Sequence, residues 1–263
     1  MSIVSSIGKA WVEKFDAVYD NLALLGEVVV EAFVMLFKPW RFRFGDSMLA
    51  YQRAAFDGLP ISIGIGFLLG LILAFQSAAA LRTFGVETYV ADLLAIGLFR
   101  ELGPIITAII LAGRSGSAFA AEIGTMKVDD ELDALVTMGL APVRFLVMPR
   151  VVAAVLAMPV LTICAELSGL IGGAVVLRAM DIPGSVFWGN VASTTDVFMI
   201  VFGLAKSALF GLLVGIVGCC AGMRTKATAD GVGVAATSAV VGGIIAIAVS
   251  DGLIAVICYF WGI

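Results

Sequence analysis

Five ionisable side chains interrupt runs of apolar sequence: Arg100 and Glu101 in one run, and Glu166, Lys206 and Asp251 in three others. An ionised group in hydrocarbon costs at least about 3 kcal/mol unless it is paired or wetted. Each of the five therefore needs an opposite charge on another element or access to a polar cavity. Arg100 and Glu101 are neighbours and point about 100° apart on a helix, so they require different partners. The most economical set pairs Glu101 with Lys206 and Arg100 with Asp251. Glu166 is then left over, either protonated or facing a wet cavity. Two readings stay open: buried ion pairs that register the helices, and a polar layer lining a functional cavity.

Other chemistry is largely excluded. The chain has no His, and its four cysteines, Cys164, Cys219, Cys220 and Cys258, lie in apolar stretches without a CxxC pair. They read as small core hydrophobes rather than metal ligands or disulfides. No GxxxxGK[ST] phosphate loop occurs; Gly8-Lys9 is followed by Ala10, and Gly113 to Ala118 resembles such a loop only superficially. A GxSxG elbow and an HExxH pair are also missing. No enzymatic activity, metal or cofactor is expected in this chain itself.

The elements that must position the five charges follow from composition. Of 263 residues, 61% are hydrophobic and 14% charged, with a mean hydropathy of +1.10, against roughly 25% charged in soluble domains. A membrane helix needs roughly 20 apolar residues. Five stretches qualify: about Leu59–Leu81, Val90–Gly113, Val151–Leu177, Val197–Gly222 and Ala236–Trp261. A further stretch, Leu22–Trp40, carries Glu27 and Glu31 one turn apart and is followed by Arg41 and Arg43. It reads as an amphipathic helix in the membrane interface, with a sixth span as the alternative. Residues 1–20 lack the pattern of a cleavable signal. The expected organisation is an all-α membrane protein: an N-terminal interfacial segment, 1–53, and a five-helix transmembrane domain, 54–263.

Positive charge sets the orientation. Lys9, Lys14, Lys38, Arg41, Arg43 and Arg53 precede the first span. Arg114, Lys127, Arg144 and Arg150 lie between spans two and three, and Arg224 and Lys226 follow span four. The opposite side has Arg82 and Arg178. These counts predict a cytoplasmic N-terminus and a C-terminus on the outer side. The five intramembrane charges then fall about ten residues, or roughly 15 Å, from the outer helix ends, in one mid-plane layer.

The longest polar connection, Arg114–Arg150, is expected on the cytoplasmic side. Asp129 and Asp130 can cap a short helix there, with Ala134, Leu135 and Met138 as its apolar face and Gly139 and Pro142 as its stop. A solvated loop and a docking helix for a cytoplasmic partner are both compatible with those residues. Small residues recur in the spans: Gly64, Gly66 and Gly70; Gly169, Gly172 and Gly173; and the GxxxG pair Gly211 and Gly215. Such residues let helix backbones approach closely.

The run Leu98-Phe99-Arg100-Glu101-Leu102-Gly103-Pro104, followed by Ala112 to Ala118 and Ala121 to Met126, resembles the MlaE/YrbE permease family, the membrane subunits of ABC systems that work with MCE-domain proteins. Glu131 to Leu135, Pro149-Arg150, Lys206 and Asp251 extend the likeness over nearly the whole chain after about Leu24. The resemblance implies a homodimer in the bacterial inner membrane, without a nucleic-acid partner. Two cytoplasmic ATPase subunits, which would hold ATP and Mg, are expected to dock on the segment after Glu122. Arg114, Glu122, Lys127, Asp129, Asp130, Glu131, Asp133, Leu135 and Met138 are the residues expected to couple to them. A periplasmic MCE protein, usually a hexamer, would exchange phospholipid with the dimer in the service of outer-membrane lipid asymmetry, and some members also use a STAS-domain protein. Arg100, Glu101, Lys206 and Asp251 would lie near the lipid cavity; Glu166 is outside the family pattern. The alternatives are sterol or fatty-acid import by the same type of complex, a proton-coupled transporter using Glu166 and Asp251, and a purely structural anchor for the MCE assembly.

Overall fold

The computed structural model describes residue 19, residues 22–24 and 26–31, and residues 44–261. Ten α-helices run through residues 44–261: α1 Phe44–Phe56, α2 Leu59–Arg82, α3 Val90–Gly97, α4 Gly103–Leu111, α5 Ser117–Val128, α6 Glu131–Thr137, α7 Met148–Ala179, α8 Gly184–Thr194, α9 Val197–Met223 and α10 Ala229–Trp261. No strand occurs among the described residues. They combine into five helices long and apolar enough to cross a membrane: Gly45–Arg82, Glu87–Val128, Val143–Ala179, Val197–Met223 and Ala229–Trp261. The first of these runs unbroken across residues 53 and 54.

Helix α7 forms the centre of the bundle, with α2 and α9 against it. Glycine makes both contacts possible. A Cβ on Gly66 or Gly70 would collide with the carbonyls of Ala165 and Gly169 on α7, and one on Gly211 would come within 2.6 Å of the Ala154 carbonyl. Backbones this close gain dispersion contacts that lipid cannot supply. Gly215 lies against Val151 in the same seam, so the GxxxG pair faces α7. Gly64 has open space beside it and takes no part in packing.

Three π-helical turns widen the backbone at Leu98–Leu102, Ala112–Gly116 and Val143–Val147. Two of them precede a proline, Pro104 and Pro149. Proline cannot donate to the preceding turn and its ring clashes there, and a widened turn relieves both. Pro104 thus reshapes the backbone that carries Arg100 and Glu101.

The segment expected as a polar connection is mostly helix. The second candidate span continues through α5 to Val128 before the chain reverses. Asp130 occupies the N-cap of α6 in the left-handed region, φ 58°, and makes no side-chain cap hydrogen bond. Side-chain capping needs an extended N-cap backbone, so the expected cap does not form. Glu131 and Asp133 in the first turn serve the helix dipole instead. Gly139, at φ 74°, ends α6: its N–H donates to the Val136 carbonyl at 2.9 Å, and the Leu140 N–H to the Leu135 carbonyl at 3.0 Å. The expected apolar face is also rotated. Leu132 is the buried anchor and Leu135 is half-buried, while Ala134, Val136 and Met138 are exposed.

Helix α8 has no counterpart in the sequence expectations. Its Phe187 and Val191 are buried with Val90, Ala91 and Leu94. Asn190 Nδ2 donates to the Thr88 carbonyl at 2.9 Å, and Thr194 Oγ1 bonds Asp92 Oδ1 at 2.7 Å. Near the other end of the bundle, Leu24 and Val28 are buried in the main core, and Glu31 accepts from Arg144 at 2.7 and 3.1 Å. Residues 22–24 and 26–31 are helical. The choice between an interfacial helix and a sixth span over Leu22–Trp40 rests on residues 32–40, outside the described residues.

Candidate functional site

Four of the five intramembrane charges meet. Lys206, on α9, carries its ammonium between two carboxylates: Glu101 from the π turn after α3, and Asp251 from α10, whose Oδ1 lies 2.5 Å from Nζ. Glu101 accepts a hydrogen bond from Lys206, whereas the Asp251 contact is an ion pair without hydrogen-bond direction. Arg100 Nε lies 3.9 Å from Glu101 Oε1. The expected pairing of Glu101 with Lys206 is present. Asp251, expected on Arg100, instead joins Glu101 in sharing Lys206. The π turn at Leu98–Leu102 alters the relative directions of Arg100 and Glu101, the point on which the expected pairing rested.

Burial within this cluster is asymmetric. The Lys206 side chain is 1% exposed, against 37% for Glu101 and 21% for Asp251. The cation is therefore sealed inside and the two acids form the open rim. Phe210, one turn along α9, places its ring centroid 6.0 Å from Nζ. A cation held by two carboxylates from two other helices fixes three spans at one depth, and the rim retains acceptor capacity toward whatever occupies the space beyond.

An open groove of about 1400 Å³ runs along α10, with Leu213, Ile216 and Val217 of α9 on its other wall. It extends from Ala229 to Leu253 and passes Ser250, the neighbour of Asp251. Val234, Val241, Ile245 and Val249 line it as exposed apolar side chains, interspersed with Gly233, Thr237 and Ser238. The groove is apolar along most of its length; Ser250 lines it, whereas Glu101, Lys206 and Asp251 do not.

Glu166 stands apart from the cluster. It is 2% exposed on α7, and a Cβ on Gly103 would lie 2.7 Å from its Cγ and Oε1. Among the described residues it has no ion pair and no hydrogen bond. One turn along, Thr107 and Thr162 join α4 to α7 through hydroxyls 2.8 Å apart, with Thr107 also donating to the Gly103 carbonyl at 2.7 Å. That buried pair was not singled out from sequence; each Thr lies at i+4 or i−4 from a residue that was, which is the only signal it leaves.

The second group of expected site residues runs from the π turn at Ala112–Gly116 through α5 and α6 to Met138. Arg114 pairs with Asp57 at 2.8 Å and donates to the Arg53 carbonyl at 3.2 Å. Glu122 binds Arg150 and Arg53, and Lys127 donates to the Met223 carbonyl at 2.6 Å. Arg53, Asp57, Arg114, Glu122 and Arg150 line a cavity of about 370 Å³. Asp129, Asp130, Glu131, Asp133 and Met138 are exposed, and Leu135 is half-buried. With Val136 they give α6 a mixed acidic and apolar outer surface. Arg53, Asp57 and Arg150 were missed as partners: Arg53 was read only as an orientation signal, Arg150 as that and as part of the Pro149-Arg150 likeness, and Asp57 was not singled out.

The sequence matches known proteins over most of its length. The family described as Permease MlaE matches residues 48–257. An intermembrane phospholipid transport system permease protein MlaE from Haemophilus influenzae is 31% identical over 245 residues, covering 92% of this chain and 91% of the relative. A probable ABC transporter permease from Rickettsia typhi is 36% identical over 200 residues, covering 76% and 77%. A chloroplastic protein of Arabidopsis thaliana, TRIGALACTOSYLDIACYLGLYCEROL 1, is 34% identical over 197 residues, covering 73% and 56%. With its five apolar membrane-length helices and a family match over most of its length, this chain is a multi-pass ABC-transporter permease subunit and belongs to the MlaE permease family.

Proposed function

We propose that the chain is the phospholipid-handling permease of an ATP-driven complex in the bacterial inner membrane. The observation that carries this reading is that α10 carries both the apolar groove and, through Asp251, the Glu101–Lys206–Asp251 cluster. An amphiphile needs both features, a long apolar wall for its chains and a polar rim for its headgroup. Two copies meeting along α10 would enclose that groove between them, which fits a homodimer. The phospholipid named in the Haemophilus relative supports the substrate class.

In this reading the α5–α6 end is cytoplasmic, the N-terminus lies on that side and the C-terminus lies outside. Two ATPase subunits dock on α6 and hydrolyse ATP with Mg; a periplasmic MCE-domain protein takes or gives the lipid, and a STAS-domain protein attaches through the ATPase in some assemblies. ATP-driven closure moves α6, alters the groove and changes its affinity for lipid, the differential binding that coupling requires. The Glu101 and Asp251 rim changes partners between the two states and assists release.

A pull-down of the tagged chain from nanodiscs, with mass spectrometry of proteins and lipids, tests the assignment. An ATPase, an MCE-domain protein and enriched phospholipid are the expected yield. The chain alone with bulk lipid would turn attention to Glu166, the buried carboxyl without a partner among the described residues, and to proton coupling. Enriched sterol or fatty acid would keep the complex and change the cargo.

A further inference from the structure

The α6 end of the molecule holds a charge cluster separate from the one at mid-membrane. Glu122 projects from α5 and uses its two oxygens on two different helices. Oε2 accepts from Arg150 Nη2 at 2.9 Å and Nε at 3.2 Å, and Oε1 accepts from Arg53 Nη1 at 3.4 Å. Arg150 sits in the first turn of α7 and Arg53 in the last turn of α1. Arg150 also donates to the Leu146 carbonyl at 2.9 Å, and its side chain is 16% exposed, so its guanidinium is fixed before Glu122 reaches it.

Elsewhere on its surface, α5 is held by other means. Ile123 packs on Gly222 of α9, Gly124 meets Thr225, and Lys127 donates to the Met223 carbonyl. Helix α5 is thus packed tightly toward α9 and α10, while Glu122 ties it to both α1 and α7, joined on the α1 side by Arg114, which pairs with Asp57 and donates to the Arg53 carbonyl. Helix α6 follows after two residues, Asp129 and Asp130.

An exposed pair such as Glu122–Arg53 is worth little by itself. The geometry gives Glu122 a different importance: one carboxylate shared by two arginines registers three helices, through charge-assisted bonds that have direction as well as attraction. We infer that Glu122 is a positioning residue that makes α1, α5 and the head of α7 move as one body when α6 is displaced. Without it, α5 keeps its packing on α9 and α10, the head of α7 is released from it, and α1 is left with the Arg114 contacts alone. The inference rests on the reading of α6 as the docking helix for an ATP-hydrolysing partner.

Two measurements on the full chain separate the inference from that reading. The first is hydrogen exchange in nanodiscs, which needs no partner. In E122Q, amides of Phe44–Phe56, of Ser117–Val128 and of the first turns of α7 should exchange faster together, by about 10-fold, with α8 unchanged. The second is proteoliposome transport with the partner ATPase. In E122Q the phospholipid moved per ATP hydrolysed should fall about 5-fold. The exchanged pair E122R with R150E rebuilds the α5–α7 link but sets Arg53 against a like charge, so it should recover only part of that ratio. If E122Q loosens none of the three helices, or lowers hydrolysis and transfer in equal proportion, Glu122 is not a positioning residue. If the wild-type complex moves no lipid with ATP, the functional reading falls, and the exchange data still decide whether Glu122 joins the helices.

Discussion

Replacing Lys206 with Met removes the buried charge and keeps most of the side-chain volume. Breaking a buried ion pair by deleting one partner costs about 3–5 kcal/mol, because the remaining charge is left uncompensated. Here two carboxylates lose their cation, but Glu101 is 37% and Asp251 21% exposed, so both regain some hydration. That screening brings the expected destabilisation down to about 2–3 kcal/mol. For a chain of this size the loss corresponds to a melting temperature lower by roughly 4–10 °C. Thermal unfolding in detergent, followed by size-exclusion chromatography, reads it. The triple variant K206M/E101Q/D251N should return to within about 1 kcal/mol of wild type, because neither carboxylate is left ionised without its cation. It should still fail to transport. A K206M protein that melts with wild type would show that the two acids are already hydrated, and the ionic cluster would hold nothing together.

Other substitutions probe separate parts of the structure. Gly70→Ala drives a methyl into the Gly169 carbonyl and should cost about 2–3 kcal/mol by thermal melting, whereas Gly64→Ala, in open space, should be neutral or slightly stabilising. Glu166→Gln keeps shape and removes the ionisable group; ATP-driven lipid transfer should be unchanged, and its loss together with a proton-gradient requirement would favour the relay reading. Met138→Glu with Val136→Glu places charge on the exposed apolar part of α6 and should weaken co-purification of the ATPase, with the melting temperature unaltered.

The five spans were legible because lipid allows little else: about 20 apolar residues in a row read as one crossing. The layer of charge was legible for the same reason, since depth can be counted along each helix from its outer end. What was not legible involves backbone shape and short-range partners. Pro104 marks the π turn that carries Arg100 and Glu101, but a proline alone does not say whether the preceding turn widens or kinks. The pairing of Asp251 with Lys206 therefore escaped the sequence. The extension through α5 was hidden by Gly113, Ser115, Gly116 and Ser117, residues that read as a loop when the packing against α9 is unknown. Helix α8 escaped because eleven residues with two buried side chains, Phe187 and Val191, give too little periodicity to stand out. A short helix does follow Asp129 and Asp130, yet the left-handed backbone of Asp130 leaves it without the expected side-chain cap, and its apolar face puts Leu132 inward and Met138 outward.

The most direct test is ATP-dependent transfer of fluorescent phospholipid from proteoliposomes that contain the chain and its ATPase, with wild type compared against E101A and K206A. Transfer by wild type that falls by about 10-fold or more in both variants, with ATPase docking intact, is the expected result. Equal transfer by all three, assembled equally well, would contradict a role for the mid-membrane charges in moving lipid.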